Sequence, residues 1–291
     1  MNRWLKRAGV ALAVLALGIG IGAWTFASRL TASANRPVQL PADFPATAVA
    51  IPGDGHAVAA SWRDLGAATP AVLLVHGMGG DRRSTLPRAR VLVDAGFSVL
   101  MIDLQAHGET PGERITLGWR ESADVRAAVR WLRARTPGRR VGLVGVSLGG
   151  AAALIGGDPG GAGRIDVDAL VLEAVHPRLR QAIRNRVGPV LTPLLMAQIG
   201  PRLHVDADRL DPVDYLPALR APVLVVGGEL DAYTYAAESR EMFVAARPPK
   251  ELWIVPHATH EDFSRVDPRG YREHVVGFLR RWLAPAGAAT G

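Results

Sequence analysis

"VGLVGVSLGG", residues 141–150, decides how the rest of the chain is read. An apolar-leaning run ends at Ser147, which stands between Gly145 and Gly149, and a small-residue segment, Ala151 to Leu154, follows. A serine in that place is either part of an ordinary tight turn or a nucleophile raised on a strained strand-to-helix corner. The Gly-x-Ser-x-Gly pattern is weak by itself, so the surrounding pattern has to choose.

Outward from this stretch, strand and helix signals alternate. "HAVAASW" (56–62) reads as an edge or early strand, and "AVLLVHG" (71–77) is a continuous apolar run closed by glycine, the mark of a fully buried strand. Further strands are expected over 97–103, 140–146, 168–175, 221–228 and 251–256. Between them, 84–96 and 117–135 carry helical spacing, Leu148 opens a helix to Leu154, and 271–283 is a final helix with Val275, Phe278, Leu279 and Leu283 along one face. Such alternation implies parallel pairing through right-handed crossovers, hence a mostly parallel sheet with helices on both faces. Residues 176–220 break the rhythm and read as a small helical cap.

The N-terminus sets the compartment. Arg3, Lys6 and Arg7 precede an uncharged run from Ala8 to Ser28, long enough as a helix to span the roughly 30 Å hydrocarbon core. Residues 1–30 are therefore expected to be a membrane anchor or signal segment, with the N-terminus inside and the remainder exported. The length favours an uncleaved anchor in the inner (cytoplasmic) membrane, with the domain on the periplasmic side. Ala32-Ser33-Ala34 leaves a site where a peptidase could cut and release a secreted form. Residues 31–46, rich in Pro and Ala, read as a linker; 47–286 form the domain, and 287–291 a tail.

Composition excludes several classes. The 291 residues suffice for one large α/β domain with an appendage. The formal charge of +7 is almost all arginine spread along the chain, without a basic block or aromatic-interleaved stripe, so no nucleic-acid partner is expected. Absence of cysteine removes disulfides, thiolate metal sites and a cysteine nucleophile.

A serine hydroxyl needs a base, and that base an orienting carboxylate. In an α/β sheet with a Gly-x-Ser-x-Gly elbow the partners follow in the order Ser, Asp/Glu, His. Asp231 lies just after the strand "PVLVVGG" and His260 just after "ELWIVP", both in loops at the C-terminal ends of parallel strands. His257 competes with His260 but sits close to the strand end, whereas His260 has loop enough to reach back. Glu229 and Glu173 compete with Asp231. A metal at His257 and His260 lacks a third ligand at suitable spacing, and no metal or organic cofactor is expected.

The chain from about 47 to 284 resembles an α/β-hydrolase, and is similar in particular to the Bem46-like and serine-aminopeptidase-like serine hydrolases. The stretches that carry the likeness are "LLVHGMGG", "VLMIDLQAHGET", "GLVGVSLGG", "PVLVVGGELDAYT" and "PHATHEDF". The resemblance implies Ser147 as nucleophile, His260 as general base and Asp231 as its orienter. It also implies an oxyanion hole formed by the backbone N–H groups of Met78 and Leu148. Two departures stand out: Gln105-Ala106-His107-Gly108 where the family often has RGxG, and His257 where it often has glycine. His76 is expected to brace the oxyanion loop, Asp103 to cap a strand-end turn, and His107 to be a loop residue. The expected substrate is a small-molecule or lipid-like acyl ester or thioester, since the cap is small and apolar. An aminopeptidase or acyltransferase with the same three residues, and a non-catalytic membrane-anchored scaffold, are the alternatives. Cap arginines 178, 180, 184 and 186 read as a solvated face, or, beside "VGPVLTPLLMAQIG", as part of a lipid-gripping lid.

Overall fold

The computed structural model describes residues 3–155 and 165–284; the expected tail at 287–291 and the last two residues of the expected domain lie outside them. Helix α1 (Arg3–Leu30) is a 28-residue helix, solvent-exposed over most of its length. Strands β1 (Thr47–Pro52), β2 (Ala57–Arg63) and β3 (Ala71–Val75) follow, then α2 (Leu86–Asp94), β4 (Ser98–Ile102), α3 (Glu121–Arg135) and β5 (Val141–Val146). Helix α4 (Leu148–Leu154), β6 (Ala169–Glu173) and α5 (Leu179–Leu203) lead through short turns to β7 (Val223–Gly228). Helix α6 (Ala236–Ala245), β8 (Lys250–Val255) and α7 (residues 268–283, π-helical over Arg272–Val276) complete the chain.

The eight strands form one sheet in the order β8-β7-β6-β5-β3-β4-β2-β1. The five pairs from β8 to β4 are parallel, and β2 runs antiparallel to both β4 and β1. This is the α/β-hydrolase fold. Strand period fixes which side chain meets which layer. Val72, Leu74, Val99 and Met101 face α2 and α7 with Ala89, Leu92, Phe278 and Leu279. Leu73, Val75, Leu100 and Leu143 face the other layer, with Val125, Val129 and Leu132 of α3. Burying each such large side chain contributes about 1.5–3 kcal/mol, and this two-sided core is what holds the strand ends in place.

Two features differ from the expectation. Strand β1, "TAVAIP", has exposed alanines and a terminal proline, so it carries little strand signal; pairing with β2 makes it a strand. The expected linker 31–46 does not hang free at its start. Ala32 bridges Arg114, and Ala34–Asn35 pair in parallel with His107–Gly108. Arg36 then donates to Asp81 at 2.6 Å and to the Gly79 carbonyl at 2.7 Å. These bonds join positions that lie far apart in sequence, 45 residues between Arg36 and Asp81, and no local pattern announces them.

The cap insert lies between β6 and β7. Helix α5 supplies most of it and is kinked at Gly188, whose φ of 76° interrupts the helix ahead of Pro189.

Candidate active site

Adjacent strands end at the same edge: Val146 of β5 lies opposite Glu173 of β6, Glu173 opposite Val226 of β7, and Gly228 opposite Val255 of β8. Loops leaving this edge carry the candidate residues. Ser147 turns the corner from β5 into α4 with φ 49° and ψ −113°, a conformation that costs an L-residue energy and that the packing on both sides must impose. The corner is closed by glycines. A Cβ at Gly149 would fall 2.5 Å from the Val75 carbonyl oxygen, and one at Gly145 would fall 2.6 Å from the Gly150 Cα. The Ser147 N–H donates to the Glu173 carbonyl at 2.8 Å, tying the corner to β6.

Nε2 of His260 lies 3.2 Å from Ser147 Oγ, and Nδ1 lies 2.7 Å from Asp231 Oδ2. With Asp231 ionised, Nδ1–H donates to the carboxylate and Nε2 is left to accept from the serine hydroxyl. Asp231 is buried, and its other oxygen accepts from the Tyr233 and Thr234 N–H groups at 2.8 and 2.9 Å, which fixes its orientation. The Tyr233 and His260 rings pack in a T-shaped arrangement, 5.4 Å between centroids.

The competing residues are elsewhere. The His257 ring is exposed beside Glu229, whose carboxylate accepts from the His257 N–H at 2.9 Å. Glu173 is fully buried and engaged by Arg88 Nε and the Tyr271 hydroxyl, both at 2.7 Å. Arg88 also donates to the Glu261 carbonyl at 3.0 Å, so a buried arginine links β6 to the loop that carries His260. Nothing in the sequence of α2 marks Arg88 apart from its neighbours.

Met78 and Leu148 flank Ser147 in one pocket, Leu148 at the first turn of α4, where helix N–H groups lack intrahelical partners. Two histidines brace the loop of Met78. His76 is fully buried; Nδ1–H donates to the Gly77 carbonyl at 2.7 Å and Nε2 accepts from the Leu104 N–H at 3.1 Å. Burial lowers its pKa to about 3, so the ring is neutral. His107, within the departure from RGxG, accepts from the Gly79 N–H at 3.1 Å and donates to the Gln105 carbonyl at 2.9 Å. It is thus a second brace. Asp103 accepts from the Arg82 N–H at 2.7 Å and the Glu109 N–H at 2.9 Å, and pairs with the Arg82 guanidinium.

Glu261 was not among the sequence candidates. Its Oε1 lies 3.4 Å from His260 Nε2 and it holds φ 68°; burial pushes its carboxyl pKa up. Around the serine the pocket walls are apolar: Leu117 and Leu148, the cap residues Leu179, Ala182 and Ile183, and Leu30 from the end of α1. His176 and Arg186 are its polar members, and Arg186 lies over the Tyr233 ring at 4.9 Å.

A family model described as serine aminopeptidase, S33 (Hydrolase_4) matches residues 66–215, a span that includes Ser147 and ends before Asp231 and His260. The uncharacterized protein Rv2307c of Mycobacterium tuberculosis is 32% identical over 216 residues, 74% of this chain and 71% of its own length. YqkD of Bacillus subtilis is 26% identical, covering 72% of this chain and 70% of that protein. Among solved structures, an esterase of Pyrococcus furiosus, Pf2001, superposes with a TM-score of 0.69 at 22% identity, over 87% of this chain and 99% of the esterase.

Proposed function

Because the chain belongs to the serine aminopeptidase S33 family of α/β-fold serine hydrolases, we propose that it hydrolyses an ester or thioester of an acyl substrate through an acyl-enzyme, with Ser147, His260 and Asp231 as its catalytic triad. The observation that carries the reading is the unbroken run Ser147 Oγ, His260, Asp231, at 3.2 and 2.7 Å. Ser147 Oγ attacks the carbonyl carbon as Nε2 takes its proton, and the Asp231 carboxylate stabilises the imidazolium. The Met78 and Leu148 N–H groups receive the oxyanion, each such donor typically lowering the barrier by about 2.7–4 kcal/mol. His260 then gives its proton to the leaving alkoxide or thiolate. Water, deprotonated by the same nitrogen, attacks the acyl-serine and releases the acid. Every step uses this chain's own groups and water.

The apolar walls of the pocket favour an acyl ester. Glu261 favours a second reading, an aminopeptidase-like activity, since a carboxylate beside the reacting centre could receive a substrate ammonium. Among the described residues α1 is the one helix long and apolar enough to cross a membrane. Arg3, Lys6 and Arg7 ahead of it support a single-pass anchor with the body outside the cytoplasm.

The test is labelling by a fluorophosphonate, expected in the folded protein and abolished in Ser147→Ala, followed by turnover of p-nitrophenyl esters beside amino-acid p-nitroanilides. Preference for the anilides would overturn the ester assignment. A folded protein that neither labels nor turns over either class would leave the scaffold reading standing.

A further inference from the structure

Exposed large apolar side chains are not scattered over this molecule. Outside α1, and apart from Val244, those among the described residues are Met78, Leu230, Tyr233 and Tyr235, on loops that carry the site, and Val190 and Leu194, on the cap helix. Single exposed apolar residues need no explanation, but a set confined to the site loops and to the cap helix that lines the pocket asks for a cover. Tyrosine, with an apolar ring and polar tip, suits a boundary between oil and water. Arg180 and Arg184 are exposed on the same cap.

Helix α1 identifies the cover. Trp4 and Trp24 are both exposed and stand twenty residues apart, about 30 Å along a helix, which is the spacing of the two interfaces of a bilayer. Leu30 comes six residues after Trp24, about 9 Å further, and there it already lines the pocket beside Ser147. The intervening turns are clamped to the cap: Ala23 and Ala27 are buried, and Arg202 of α5 donates to Ser28 Oγ at 2.7 Å while lying 4.0 Å over the Trp24 ring. The anchor therefore delivers the mouth of the pocket to the membrane surface and does not suspend it at a distance.

We propose that this rim docks on the bilayer that α1 spans, and that the pocket takes from the lipid phase an ester with a long apolar acyl chain, with Leu30 as the wall along which the chain lies. The substrate half of this proposal rests on the hydrolase reading above; the docking half does not.

The chain has no cysteine, so Val190→Cys and Val244→Cys each give the full-length protein one site for a bimane label. In vesicles of phosphatidylcholine and phosphatidylglycerol carrying doxyl lipid, strong quenching is expected at 190 and little at 244. No quenching at 190, or equal quenching at both, overturns the docking. For the substrate, the ratio of kcat/KM on p-nitrophenyl palmitate to that on the acetate is read in the same vesicles. Leu30→Ala, which removes apolar contact along the chain, should lower this ratio by about tenfold, and Leu30→Trp, which narrows the path of the chain, should lower it as well. A ratio unmoved by both variants overturns the role of Leu30. If the unaltered protein turns over neither ester and does not label with fluorophosphonate, the hydrolase reading has failed and the lipid-phase substrate falls with it, while the quenching contrast still decides the docking.

Discussion

Ser147 is held at a backbone angle that an L-residue adopts only under constraint, and the close contacts at Gly145 and Gly149 supply the constraint. That much was legible in "VGVSLGG", because an elbow of this kind demands small neighbours. The order of Ser147, Asp231 and His260 was legible too, since each follows a recognisable buried strand. Glu261 was not: its nearness to His260 Nε2 depends on a positive φ in the loop, which adjacency in sequence does not reveal. In the proposed mechanism a carboxylate there would compete with Ser147 for the imidazole and oppose a developing oxyanion. Glu261→Gln should therefore raise kcat on a neutral ester at pH 7 by about tenfold, a change of ~1.4 kcal/mol in the barrier. Steady-state kinetics on p-nitrophenyl acetate check it, and a fall in kcat would show that Glu261 assists the reaction.

At the scale of elements, the parallel strands and their helices could be read from apolar runs and helical spacing, whereas the ties between distant elements could not. The buried cluster Arg88–Glu173–Tyr271 joins α2, β6 and α7 and reaches the His260 loop through the Glu261 carbonyl. In sequence Glu173 stands out only as a rival to Asp231, and Arg88 and Tyr271 carry no signal at all. Arg88→Met leaves the Glu173 carboxylate buried without its cation, which should cost about 3–5 kcal/mol, and Arg88→Met with Glu173→Gln should recover much of that. Urea unfolding of these two variants and of Glu173→Gln alone measures the coupling; additive losses would mean that the pair is not coupled. The docked segment 31–36 belongs to the same class. The proline- and alanine-rich composition of 31–46 describes a linker, and only the folded loop that carries Gly79 and Asp81 gives Arg36 something to hold.

For the whole molecule, the brace at His76 carries a pH signature. Burial lowers its folded pKa to about 3 from the ordinary 6.5, so between these values the unfolded chain binds a proton that the folded chain refuses. Stability from this group is thus fully present above pH 6.5 and is lost progressively as pH falls toward 3. Unfolding midpoints in urea should drop as pH is lowered from 7 to 4.5. Over the same interval the ring resonances of His76 should stay at their neutral positions, and a titration of that ring near pH 6 would contradict its buried, doubly bonded state.

The pairing of Ala32 with Arg114 and of Ala34 with His107 has one more consequence, for the lifetime of the tether. A leader peptidase must draw an extended strand into its own cleft, and the strand it would need is here already spoken for by the domain. On the proposed anchoring by α1 with the body outside the cytoplasm, tethered and released forms would be set by a race between folding and cutting at the outer face. Variants that fold more slowly after export should shed more free protein into the surrounding fluid than those that fold fast.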